Sequence, residues 1–125
     1  MSYHYDVAIV VTYEVNKEFQ PLLQKAIANP ATNSWIDPEP VKESERSVLY
    51  YADYTRWDKT EAGIKQIHDF LDNLDEDDYF YILIGENIGD EESQGNPELR
   101  DEWGLFPLWG LDTTGFKWTR TPSSR

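Results

Sequence analysis

The chain has no cysteine, only two histidines, and no apolar run near the ~18 residues needed to span a bilayer. Without thiols, disulfides, thiolate catalysis and Cys-ligated zinc are all excluded. A Ser-His-Asp arrangement would have to use His4 or His68, and no Gly-x-Ser-x-Gly elbow accompanies either. Gly63, Gly85 and Gly89 compose neither a Gly-x-Gly-x-x-Gly fingerprint nor a P-loop. The first residues carry no basic segment followed by an apolar stretch, and no Asn-x-Ser/Thr sequon occurs. A soluble, cytoplasmic protein without a cofactor, a metal or a membrane partner is the expectation.

Positive charge is scarce too, and unevenly so. Eleven Lys and Arg face 24 Asp and Glu, a net charge of -13. Residues 61–102 hold two bases against fourteen acids, a net of -12, whereas residues 103–125 hold three bases and one acid. Such a segment repels phosphate, which argues against direct nucleic-acid binding and for a basic protein partner. Solubility asks for a net charge of roughly 2–8 in a small domain, so the excess has some other use.

What the chain does contain is enough apolar and aromatic material for a core. Hydrophobic residues make up 39% and aromatics 14% of 125 residues, which fits one domain over 1–120 and a Pro/Ser tail over 121–125. Val7 to Tyr13 and Ser47 to Trp57 read as strands, and Tyr79 to Gly85 as a strand buried on both faces. Phe19, Leu22, Leu23, Ala26 and Ile27 line one face of a helix over 17–28, capped by Asn16 and ended by Asn29-Pro30. A short edge strand is expected at Ser34–Asp37. Asp58 to Glu61 has capping-box spacing ahead of a second helix carrying Ile64, Ile67, Leu71 and Leu74, with His68 on its surface. Asp75 to Asp78 fall at that helix's C-terminal end, where terminal carbonyls disfavour anions. An irregular acidic loop follows Gly85, and Leu105–Trp109 and Phe116–Thr119 pair as a hairpin. The order predicts an α+β fold: two helices packed on a mainly antiparallel sheet, ferredoxin-like (split βαβ), with a C-terminal hairpin. An open parallel α/β sheet is the second choice.

Three constellations could carry function. Glu86, Asp90, Glu91 and Glu92 supply oxygen ligands, but without EF-hand spacing. General-acid or two-metal chemistry would need carboxylates from separate elements, with Asp6 and Asp53 the best-placed pair. Tyr50, Tyr54, Trp57, Trp103, Trp109 and Trp118 could stack a nucleobase, yet the basic groove that stacking proteins add is thin, so most read as core. The acidic surface remains. Carboxylates at phosphate-like spacing compete for the Lys/Arg groove of a nucleic-acid enzyme. Ile82-Leu83-Ile84-Gly85-Glu86 followed by Asp90-Glu91-Glu92 resembles the strand-then-acidic-loop style of small acidic phage and prophage accessory proteins. That resemblance, over about 15 residues, implies a mobile-element protein of the kind that inhibits restriction or CRISPR systems. The resulting expectation is a non-catalytic, DNA-mimic-type inhibitor using Asp69, Asp72, Glu76, Asp90, Glu91 and Glu92, with Trp103 as an apolar anchor. An immunity protein for a nuclease toxin and a metal-dependent or nucleotide-binding enzyme are the alternatives.

Overall fold

A computed structural model describes residues 3–87, 89–107 and 116–117. Strands β1 (His4–Thr12), β2 (Lys42–Glu43), β3 (Ser47–Arg56), β4 (Tyr79–Gly85) and β5 (Glu91–Gly95) form a five-stranded sheet. Its order is β2-β3-β1-β4-β5, and every neighbouring pair is antiparallel. Helices α1 (Tyr13–Ala28), α2 (Ala62–Asp72) and α3 (Pro97–Trp103) complete an α+β architecture. β3 and β4 run in the same direction on either side of β1, joined through α2. Two further short strands, β6 (Phe106–Pro107) and β7 (Phe116–Lys117), pair antiparallel, as the hairpin reading expected. The hairpin's connection, Trp109, Trp118 and the 121–125 tail lie outside the described residues.

The alternation of side chains along β1 explains the layering. Val7, Ile9 and Val11 join Val48, Tyr50, Tyr79, Tyr81 and Leu83 in one core with Phe19 and Leu23 of α1 and Ile64, Ile67 and Leu71 of α2. Ala8 and Val10 point the other way, into a second core with Leu49, Phe80, Ile82, Ile84, Leu99, Trp103 and Leu105. Period-two alternation with both faces apolar requires cover on both sides. α1 and α2 supply it on one face and α3 on the other. All seven residues of β4 are buried.

Several local readings are corrected. α1 begins a turn earlier, at Tyr13, and Asn16 caps nothing: its Oδ1 accepts the Tyr50 hydroxyl at 2.6 Å. Satisfying a buried phenol outweighs capping there. Pro21 is tolerated inside α1 because it is exposed, leaving the freed carbonyl to water. No strand forms at 34–37. The Thr55 hydroxyl instead donates to Trp35 O at 2.6 Å and accepts from Trp35 N at 3.2 Å, so one side chain takes both backbone groups. The edge strand beside β3 is β2. The capping box is also absent: Asp58 Oδ1 accepts from Thr60 N at 2.9 Å, and Glu61 is itself the N-cap residue. Glu61 Oε1 accepts from Asn33 N and Ser34 N at 3.0 and 2.9 Å, tying the loop down. Burial opposes its ionisation, but these hydrogen bonds outweigh burial and hold its carboxyl below the usual range.

The acids at 75–78 do not crowd a helix C-terminus. α2 ends at Asp72, and Asp75 caps a new 3-10 turn over Glu76–Asp78, its carboxylate accepting from Asp77 N at 3.0 Å. They occupy the N-terminal end of a turn, where anions are favoured. The segment after Gly85 is not one irregular loop either, since β5 and α3 are built from it.

Candidate functional site

The six acids expected to meet a partner are all exposed, but they do not share one surface. Asp69 and Asp72 lie on α2, and Asp69 Oδ2 accepts from Lys65 Nζ at 2.7 Å. Register places Glu92 opposite Leu83 and Gln94 opposite Tyr81, on the α2 side of the sheet. There Gln94 Nε2 reaches Asp72 Oδ1 at 3.2 Å. Glu92 Oε2 accepts from Lys59 Nζ at 2.5 Å and from the Tyr81 hydroxyl at 3.0 Å. Burial raises the Glu92 carboxyl, but the Lys59 and Tyr81 bonds outweigh that and hold it below its ordinary range. Asp69, Asp72 and Glu92 thus form one group at the α2–β5 edge.

Glu91 alternates to the opposite face, opposite Ile84. Neither Glu91 nor Glu76 has a side-chain hydrogen bond or ion pair among the described residues. Asp90 closes the β4–β5 connection, where it accepts the Tyr3 hydroxyl. Trp103 is a correction. Its indole is 2% exposed in the second core, and Nε1 donates to Ser47 Oγ at 2.9 Å. A ring held there is a packing residue without an exposed face to offer.

His68 is also not a surface residue. It is 9% exposed, and its Nε2 accepts from Trp57 Nε1 at 2.9 Å, with Tyr81 edge-on to its ring. Burial, then the Lys59 charge, push its pKa down, so the ring stays neutral and free to accept.

Asp6 and Asp53 do converge. The β1–β3 register shifts between Tyr5 and Val7: Asp53 and Tyr54 of β3 together face Asp6 of β1, and this bulge in β3 brings the two carboxylates to one place. Asp6 Oδ1 accepts from Tyr54 N at 2.9 Å, and the Asp53 carboxyl lies beside that of Asp6. Burial and the Asp53 contact push Asp6 up to about 6 against the opposing Tyr54 bond. Tyr54 itself has φ 51°, unusual for a side chain of its size, and its ring stacks on His4 at 4.1 Å between centroids. His4 N donates to Glu86 Oε2 at 2.5 Å. These groups line an open cleft of about 320 Å³. A carboxyl that titrates near 6, as Asp6 does, can donate or accept a proton. Among the described residues no three His, Asp or Glu side chains come together as a metal centre. Sequence reasoning found Asp6 and Asp53 as carboxylates on separate elements. It weighed His4, Tyr54 and Glu86 in other constellations and did not bring them to this pair, because no glycine or proline signals the bulge.

A second cleft, about 480 Å³, lies between the Tyr3–Tyr5 ring pair and the β3–α2 connection, with Leu83 and Glu92 also lining it. Its two bases, Arg56 and Lys59, are matched by Asp58 and Glu92. It is therefore close to neutral within a strongly acidic chain.

Compared with protein-family models, curated proteins and solved structures, the chain matches none of them. No helix among the described residues is long and apolar enough to cross a membrane.

Proposed function

We propose that the chain is a small acidic, non-catalytic phage or prophage protein that occupies the basic surface of a nucleic-acid-handling protein in the cytoplasm and inhibits it. One observation carries this reading. Asp69, Asp72, Glu76, Asp90, Glu91 and Glu92 are all exposed, within a 42-residue stretch of net charge -12. Charge of that density steers association with a basic groove and raises its rate. The acids set encounter and specificity, and apolar affinity would come from exposed rings such as Trp35, 52% exposed, in place of Trp103.

Capture from host lysate at low and moderate salt tests it. The control bait carries Asp72→Asn, Glu76→Gln and Glu91→Gln, which leave the Lys59–Glu92 and Tyr3–Asp90 contacts intact. A basic nucleic-acid enzyme that binds the native bait and is lost with the control and with salt is expected. Equal recovery of that enzyme by both baits, at any salt, would remove the electrostatic mechanism. An immunity protein would behave alike in this assay, and a toxin gene next to its own would mark it as one.

We also read β1 to β4 with α1 and α2 as a split βαβ, ferredoxin-like layer extended by β5. The β2-β3-β1-β4 order and the α2 link between the co-directional β3 and β4 support this. An experimental structure with α1 and α2 on opposite faces would contradict it.

The Asp6–Asp53 pair favours a second reading, a ligand-binding or acid–base site in the adjoining cleft. It predicts thermal stabilisation by Mg²⁺, Mn²⁺ or a nucleotide, about 2.7 kcal/mol at 100 times the dissociation constant. No shift with any of them, at saturating concentration, would end it.

A further inference from the structure

β5 ends one side of the sheet, with β4 on its inner side and no strand on its outer side among the described residues. The direction of its backbone groups follows from register. Gly85 N donates to Asp90 O at 2.8 Å, and Asn96 N donates to Tyr79 O at 2.7 Å. Both bonds belong to the β4–β5 alignment, in which Phe80 faces Gly95 and Ile84 faces Glu91. In an antiparallel ladder, residues that face inward alternate with residues that face outward. Residues 90, 92, 94 and 96 therefore turn N–H and C=O toward β4. Glu91, Ser93 and Gly95 turn theirs away from the sheet.

We propose that this edge receives an extended segment of the protein's partner, whose backbone pairs with Glu91, Ser93 and Gly95 and whose side chains alternate Lys or Arg with apolar residues. The idea rests on the basic-partner reading and adds the docking mode to it. Strand addition draws affinity from main-chain hydrogen bonds and specificity from alternate side chains. Charge decides the occupant here. Glu91 and Glu92 project to opposite faces of β5, so the basic side chains of an alternating strand meet Glu91 on one face while its apolar side chains lie on the other. Glu92 is already held by Lys59 and Tyr81, while Glu91 has no side-chain partner among the described residues and gains one.

Acids on an exposed edge ordinarily protect against aggregation by rejecting neutral and like-charged strands. The same charges leave it open to a basic strand, so protection and selectivity have one cause. A second copy is the poorer occupant, since each chain brings a net charge of -13.

The test uses the full chain and an end-blocked peptide of alternating Lys and Val. Its twin has the same sequence with N-methyl groups at successive residues, blocking both of its edges. The peptide should slow amide exchange at Glu91, Ser93 and Gly95 and bind at least tenfold more tightly than the twin. Ser93→Pro, which removes one outward N–H, should weaken binding at least tenfold. Glu91→Lys should do so as well while leaving β5 paired, which covers the case in which proline disturbs the strand.

Equal binding of peptide and twin would mean charge contact alone: strand addition falls and the basic-partner reading stands. Failure of both peptides, while lysate capture still recovers a basic enzyme, likewise removes only strand addition. Failure in both assays removes both readings. Dimers formed through β5 would make a second copy the occupant and overturn the proposal.

Discussion

Asp6 is a carboxylate whose surroundings raise its pKa well above the ordinary range. Its folded pKa, about 6, lies above the ordinary 3.8, so the folded chain holds this proton more tightly than the unfolded one. Between those values the native state binds more protons, and stability falls as pH rises through the window. Asp6→Asn keeps an acceptor for Tyr54 N and has no charge to bury. Its melting temperature should therefore gain on the parent between pH 4 and pH 7 and level off above. Thermal melts across that range check this, and a pH-independent difference would contradict the raised Asp6 pKa. His68 works in the opposite direction. Its pKa is depressed, so the stability it contributes is present when the ring is neutral and is lost as pH falls below the ordinary histidine value. Trp103 gives the plainest residue-level prediction. Emptying its site by Trp103→Ala should cost about 3–5 kcal/mol in urea unfolding. A loss well under 1 kcal/mol would return it to the surface.

At the scale of elements, β5 depends on a single backbone conformation. Gly95 has φ 113°, and an added Cβ would lie 2.2 Å from Tyr79 O. Gly95→Ala should therefore destabilise by about 1–3 kcal/mol and speed amide exchange along residues 90–96 before elsewhere. Unchanged exchange there would show that β5 accommodates a side chain at this position. The same element shows where the sequence was legible and where it was not. β1, β3 and β4 were readable because β-branched and aromatic runs favour a pleated, buried surface. Glu91-Glu92-Ser93-Gln94-Gly95 has no apolar alternation at all. It is a strand because β4 offers a ladder, and that is tertiary information. α3 was more nearly legible, with Asn96 as cap, Pro97 at its first residue and Gly104 left-handed after its end. Asn96→Ala should cost about 1 kcal/mol through the lost cap, plus the bond its Nδ2 donates to Asp77 O; denaturant titration measures it.

The whole molecule carries its charge at the expense of its own compactness. A net of -13 repels itself, and added salt screens that repulsion within about 8–10 Å at physiological ionic strength. The melting temperature should rise with NaCl, and rise less in the triply neutralised bait, as calorimetry at two salt concentrations would show. Identical salt responses would mean that these acids are already compensated. The charge excess over 61–102 was legible from sequence alone, but its division among α2, the 3-10 turn and the two faces of β5 was not. Such a division depends on register, and register is set by which strands meet.

The bulge in β3 has a bearing on how this chain can change over generations. Within residues 7–11, inserting or deleting one residue would exchange the contents of the two cores, which no descendant would survive unaltered. At the bulge, Asp53 and Tyr54 of β3 together face Asp6, so β3 there already absorbs one residue more than its partner without disturbing the pairing of residues 7–11. Lineages of this protein are free to rewrite the exposed bulge at Asp53 and Tyr54 while inheriting the two cores unchanged.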